Sequence, residues 1–281
     1  MRIEQIGDDI QISGLTHFDI LKIFNCGQSF RFSIQANEVT GVAFGKILKL
    51  LQHLDIVVIK NCSLEVFNCI WRGYLSCDTD YENIIKLIDN DEIIHSAIEF
   101  GGGIRILKQD LWESIISFIL SQNSNIPRIK KMVASLCSEC GKEIDDTGYF
   151  SFPEPEEILS YGPQALSKLK LGYRDEYVYE ISKAVIEEIL NLNELNNLDT
   201  QSARKKLMSF KGIGGKVADC ILLFGMGRYE VCPHDVWVKR ILSEKYDIIK
   251  ITEDKGYKFV TEKWGCYAGI AQQFLFYSYR R

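Results

Sequence analysis

Residues 207–240 read LMSFKGIGGKVADCILLFGMGRYEVCPHDVWVKR, and they decide the architecture of the second half of the chain. A helical run ends at Lys211-Gly212-Ile213-Gly214-Gly215-Lys216, and a second apolar helix begins at once. Glycine reaches positive φ and carries no Cβ to block a close approach, so three glycines within four residues mark a tight turn. Two helices joined in this way make a helix–hairpin–helix. The N–H groups that open the second helix have no partner within it and attract an anion. Gly212, Gly214 and Gly215 are therefore expected to lie against a phosphate, although a plain helix C-cap would account for one of them.

Lys216 sits in the first turn of that second helix. The positive end of the helix dipole disfavours a charged amine there, and a neutral amine is the species that attacks a carbonyl-like carbon to form a Schiff base. Spacing alone leaves it equally open to being a solvated lysine. Asp235 follows nineteen residues later, two positions after Pro233 and directly before Val236-Trp237-Val238. It is a natural helix N-cap, a role worth about 1 kcal/mol. A carboxylate fixed in that way could also stabilise positive charge on a sugar carbon as a glycosidic bond breaks. His234 reads as a surface or phosphate-side residue.

Outward from this stretch, 281 residues give room for about two domains. A hydrophobic content of 46% and a charged content of 25% belong to a globular protein with sizeable cores. No apolar run reaches the roughly 18 residues of a membrane span, and the N-terminus lacks the pattern of a signal peptide. A cytoplasmic or nucleoid location without membrane association is expected. Nine scattered cysteines suit a reducing compartment better than a disulfide framework. The pair Cys137 and Cys140 reads as ordinary thiols, and no metal site or iron–sulfur cluster is expected. The net charge of −5 speaks against a nucleic-acid binder as a whole. Residues 201–245 nevertheless carry nine basic against four acidic side chains, which predicts one basic face.

The first hundred residues predict an antiparallel sheet with one buried face. Its strands are read at Phe30–Ile34, Glu38–Phe44, Ile47–Gln52 and Leu54–Ile59, with turn chemistry at Asn37 and Gly45. Asp80 to Phe100 reads as one helix, and Gly101-Gly102-Gly103 as a hinge. The fold class is thus α+β, with an N-terminal antiparallel β-sheet domain carrying helices (residues 1–103) before an all-helical domain (residues 104–281). In that second part Asp110 caps a helix, with Glu113 placed to complete a capping box. A polar break at Gln122–Asn125 leads into Pro127–Cys140. Later helices fit Pro155–Ser160, Pro163–Lys168, Tyr177–Asn191, Asp199–Ser209, Lys216–Met226, Val236–Lys245 and Gly269–Phe276.

Five separated segments, Asn25–Arg31, Gln109–Arg128, Leu169–Tyr177, Lys211–Val238 and Trp264–Gln272, resemble in one order the 8-oxoguanine DNA glycosylases of the helix–hairpin–helix superfamily. The resemblance implies a bifunctional glycosylase and AP lyase that needs no cofactor. Lys216 falls on the nucleophile that attacks C1′ of a flipped nucleotide, and Asp235 on the aspartate that assists it. Gly27 falls on the glycine whose carbonyl accepts the N7–H that 8-oxoguanine has and guanine lacks. Gln272 would read the Watson–Crick edge, while Phe276 and Cys220 would sandwich the base. Asn123, Arg128, Tyr173 and Arg174 match positions that fill the vacated stack and contact the orphaned cytosine. The implied partner is duplex DNA containing 8-oxoguanine, bound by a monomer in the nucleoid, or in the nucleus of a eukaryotic source. Three departures stand out: Trp237 where the family often has a histidine, Ser124 in place of an asparagine, and a short connection between Ile249 and Lys258. A glycosylase for an alkylated base or an oxidised pyrimidine is the nearest alternative. A non-enzymatic DNA-binding module, in which the hairpin matters and Lys216 does not, is the alternative from another class.

Overall fold

The computed structural model describes residues 1–248 and 253–280; residues 249–252 of the shortened connection lie outside the described residues. Six antiparallel strands form the N-terminal sheet: β1 (Arg2–Ile6), β2 (Asp9–Ser13), β3 (Phe32–Gln35), β4 (Glu38–Ala43), β5 (Lys46–His53) and β6 (Ile56–Ile59), in the order β1-β2-β6-β5-β4-β3. Alternating residues Ile10, Ile12, Val39, Leu48, Leu50, Val57 and Ile59 are at most 1% exposed and make one buried face. Register follows from that face, with Val39 opposite Leu50 and Leu50 opposite Ile59. Helix Ile20–Asn25, capped by Asp19, and the rings of Phe24, Phe32, Trp71 and Tyr74 cover it.

The predicted sheet is present, and it is larger than expected. The first strand is a polar edge strand, whereas the second, Asp9–Ser13, alternates Ile10 and Ile12 inward and its period-2 signal was overlooked. β3 and β6 begin two residues later than read; for β6 the reason is that Leu54 occupies a left-handed turn conformation. Gly45 does turn the chain, together with Phe44, both at positive φ as a two-residue hairpin requires.

Asp80–Phe100 is two helices, Tyr81–Ile88 and Glu92–Gly101. Asp91 breaks the run because its carboxylate accepts from the N–H groups of Ile93 (2.8 Å) and Ile94 (2.9 Å), starting the second helix afresh. Both helices bury isoleucines (Ile84, Ile88, Ile94, Ile98) in the core of the helical half, where Glu92–Gly101 packs along the last helix, Ala268–Tyr279. Gly103 (φ +96) is pinned rather than loose. Its carbonyl accepts from Asp19 N–H at 3.0 Å, and a Cβ there would lie 2.5 Å from that of Asp19.

The helical half is built from Leu111–Leu120, Ile126–Cys140, Arg174–Ile186, Thr200–Met208, Gly215–Cys220, Val236–Lys245, Glu253–Trp264 and Ala268–Tyr279, among shorter pieces. Glu253–Trp264 was not read from sequence. Gly215–Cys220 runs on as a π-helical turn, Ile221–Gly225, and Gly225 lies against Ser114, where a Cβ would come within 2.8 Å of the serine Cβ.

Two arginines join the halves. Arg105 is 2% exposed and donates to the carbonyls of Thr16 (2.6 Å), His17 (3.0 Å), Ser76 (2.7 Å) and Thr79 (3.1 Å), with its guanidinium 4.5 Å above the Tyr81 ring. Arg31 reaches Glu113 (3.1 Å) and the Phe150 carbonyl. Asp110 caps Leu111–Leu120 as expected, but the Glu113 carboxylate turns to Arg31 and leaves the capping box half made. Burial pushes the Glu113 carboxyl up to about 7 even though Arg31 pulls it down.

Candidate functional site

The entry helix of the hairpin, Thr200–Met208, starts on an Asp199 cap and ends at Ser209. The turn that follows gives its glycines different tasks. Gly212 has φ +88, and a Cβ there would meet the Tyr177 ring at 2.5 Å, so packing alone excludes any other residue. Gly214 is in extended backbone at the N-cap, exposed, with open space around it. Gly215 is the first helical residue. Ile213 plugs the turn into the core at 3% exposure. The Gln122 side chain donates to the Gly212 carbonyl at 2.8 Å and so ties the hairpin to the polar break after Leu111–Leu120.

Lys216 is half-buried one residue into the helix. Its amine donates to Ser121 Oγ at 3.4 Å and stands 6.0 Å from the centre of the Phe118 ring. Asp235 caps Val236–Lys245, accepting from Val238 N–H at 2.8 Å. Burial raises its carboxyl above the usual range, while the Val238 N–H and then the Lys216 ammonium pull it down. The Cys220 thiol is buried one turn beyond Lys216; burial pushes it up to about 11, against the pull of Lys216, and Asp235 is close enough to add to the rise. Lysine, aspartate and thiol therefore share one electrostatic neighbourhood. His234 departs from its reading as a surface residue: it is 5% exposed and packs on Tyr257 with ring centres 4.7 Å apart.

A second group lines the last helix. Gln272 is 5% exposed, and its Oε1 is a buried acceptor with no hydrogen-bond partner among the described residues. Phe276 follows four residues later, next to Gly27 (φ +84) at the end of the first helix; a Cβ on Gly27 would lie 3.5 Å from the Phe276 ring. Gln273 holds this corner by donating to the Cys26 carbonyl at 2.8 Å.

The third group stands at the rim. Asn123 is exposed in a left-handed conformation (φ 44), and its amide donates to Tyr173 Oη at 3.2 Å. Tyr173 is 48% exposed, and Arg128 is exposed in the first turn of a helix capped by Asn125. Arg174 is not the solvated charge that its sequence context suggests. It is 2% exposed, stacks 4.5 Å over Tyr173, and donates to the carbonyls of Gln122, Asn123 and Leu171, so it holds the loop that presents Asn123. Trp237 and Val236 are exposed beside Asp235. Ser121, Phe118 and Gln122 were missed by sequence reasoning; their signal was the polar break that ends an apolar helix.

Two family models cover most of the chain. Residues 11–115 match the N-terminal domain of 8-oxoguanine DNA glycosylase, and residues 116–266 match the HhH-GPD superfamily base excision DNA repair protein. The 8-oxoguanine glycosylase/lyase of Clostridium acetobutylicum, in complex with double-stranded DNA containing cytosine opposite 8-oxoG, superposes with a TM-score of 0.96 at 34% identity, covering 100% of this chain and 98% of that one. The N-glycosylase/DNA lyase of Saccharomyces cerevisiae is 36% identical over 211 residues, which are 62% of this chain but only 56% of the yeast protein. A 3-methyladenine DNA glycosylase from Archaeoglobus fulgidus shares the fold (TM-score 0.77) at 22% identity.

Proposed function

The chain belongs to the HhH-GPD superfamily of base excision DNA repair proteins, and we propose that it excises 8-oxoguanine from duplex DNA as a glycosylase and then nicks the strand as an AP lyase. The observation that carries this reading is the shared neighbourhood of Lys216, Asp235 and Cys220, with the partnerless acceptor of Gln272 on an adjoining helix. A buried acceptor left open costs stability, and a donor edge of a flipped purine would satisfy it.

The lesion leaves the stack, because its C1′ is out of reach inside a duplex. Lys216 Nζ bonds to C1′ as the bond from C1′ to the base nitrogen breaks, and the base departs with a proton from the amine. The Asp235 carboxylate stabilises the positive charge that develops on the sugar. The ring opens to an iminium joining C1′ to Lys216. Loss of a C2′ proton then expels the 3′ phosphate and nicks the strand. Gly27 supplies the carbonyl for N7–H, and guanine would present a lone pair there instead. Phe276 and Cys220 flank the base. Asn123 and Tyr173 enter the vacated stack with Arg128 nearby, and Arg174 keeps their loop in shape. The exposed Gly214 and its neighbours take a phosphate at the helix N-terminus.

We also propose that the protein acts as a monomer on DNA wherever the chromosome lies. Among the described residues no helix is long and apolar enough to cross a membrane. The test is borohydride trapping and strand nicking on a duplex with 8-oxoguanine opposite cytosine, with undamaged guanine as control. Wild type should trap and nick the damaged strand only. Lys216→Gln should trap nothing and cut at least about a thousandfold more slowly. Binding by both proteins without trapping or nicking by either would replace the enzyme with a DNA-binding module.

A further inference from the structure

Gln272, Phe276 and Arg280 stand four residues apart at the end of the chain's last helix, so they share one helix face. Arg280 is the third member, and neither its sequence context nor the chemistry above assigns it a role. Its Nη2 donates to the Asn25 carbonyl at 3.0 Å, and its guanidinium lies 5.5 Å from the centre of the Phe276 ring. A Cβ built on Gly27 would lie 2.7 Å from Arg280 Nη1, which places that nitrogen directly against the Gly27 backbone. Nη1 is buried and has no hydrogen-bond partner among the described residues. An anchored guanidinium with a buried, unsatisfied nitrogen beside Gly27 is costly unless a ligand completes it.

The last helix thus carries two buried polar atoms of opposite kind that have no hydrogen-bond partner among the described residues, the Gln272 Oε1 acceptor and the Arg280 Nη1 donor. Eight residues separate them, about 12 Å along the helix axis, a span that two long side chains can narrow around a purine. Gln272 would take the Watson–Crick edge. The opposite edge would fall between Gly27 and Arg280. On 8-oxoguanine that edge carries two features that guanine lacks: an N–H at position 7 and a carbonyl oxygen at position 8.

Resting on the glycosylase reading, we propose that Arg280 is a specificity-determining residue that donates from Nη1 to the C8 carbonyl oxygen of the flipped base. Gly27 and Arg280 then form an acceptor–donor pair matched to the donor–acceptor order of the oxidised edge. A guanidinium offers only donors, so it rejects any base that offers no acceptor there. Guanine fails against both members of the pair.

The test compares single-turnover excision of 8-oxoguanine with that of 8-thioguanine, each opposite cytosine. The thio base keeps the N7–H but presents sulfur, a weak acceptor, at position 8. Wild type should prefer the oxo base by about tenfold to a hundredfold, the range of one hydrogen bond to a charged donor. In Arg280→Leu the oxo-to-thio ratio should collapse toward one, and Arg280→Lys, which keeps a charged donor, should restore part of it. Both rates come from one preparation, so partial unfolding of a variant cancels in the ratio. A ratio unchanged in Arg280→Leu overturns the assignment, as does faster excision of both bases, which would make Arg280 a plug over the pocket. If wild type excises neither base, the glycosylase reading itself has failed, and the Arg280 assignment falls with it.

Discussion

Arg105 and the Lys216 pocket both bury polar groups, and they finish them in opposite ways. Arg105 is satisfied from within: four main-chain carbonyls and an aromatic face complete its guanidinium. In the candidate site and along the last helix the groups are left short. The Lys216 amine has a long contact to Ser121, while Gln272 and Arg280 each keep an atom without a partner among the described residues. Main-chain carbonyls cannot move away, so the first arrangement suits a joint between two halves. The second stores unmet hydrogen bonds that only an incoming molecule can make.

The comparison breaks most clearly at its structural end. Arg105→Met keeps much of the volume but strands four buried carbonyls, and it should lower the unfolding free energy by about 3 kcal/mol in chemical denaturation. A loss under about 1 kcal/mol would mean that the joint does not depend on those bonds. Asp235→Asn probes the functional end with a somewhat smaller effect. Asparagine also caps helices, so stability should stay within about 0.5 kcal/mol of wild type. Excision should slow by about a hundredfold, as the loss of one fixed charge at the reacting centre predicts. Wild-type excision should also decline on the acid side through a value above the ordinary carboxylate range, and the asparagine variant should lack that limb.

Glu113 lies between the two cases and should give the smallest effect. Its folded carboxyl, at about 7, lies above the ordinary 4.5, so the folded state resists ionisation that the unfolded chain accepts. Stability should therefore fall as pH rises from about 4.5 to about 7 and level off beyond it. Thermal melts of Glu113→Gln should show a flatter profile across that window. An equally steep profile would assign the titration to another group.

What was legible in the chain follows the range of the physics involved. The turn before Gly215 and the Asp235 and Asp110 caps are local, each settled within four residues, and the structure places them as read. The buried charges were illegible. Arg31, Arg105, Arg174 and His234 look like solvated or surface side chains in sequence and Glu113 like a capping-box partner, because what buries them is remote: Arg31 meets Glu113 82 residues away and Arg105 its carbonyls up to 89 away. Gly212 shows the same divide. Its glycine was predicted for a ligand's approach, while the Tyr177 ring that demands it is 35 positions upstream. The neighbourhood of Lys216 and Asp235 was expected only through resemblance, since spacing alone could not say that two helix starts face one space.

The π-helical turn after Lys216 has a further meaning in terms of insertions and deletions. A π turn is an α-helix carrying one residue more than its pitch calls for. Removing one residue from Ile221–Phe224 would therefore leave a regular helix whose end is turned by little, because the π turn takes up the surplus residue within a single turn. Gly225, the residue that lets this helix close on Ser114, would keep that contact. The surplus residue is thus a point at which the helix after the lysine can lose one residue without being re-aimed.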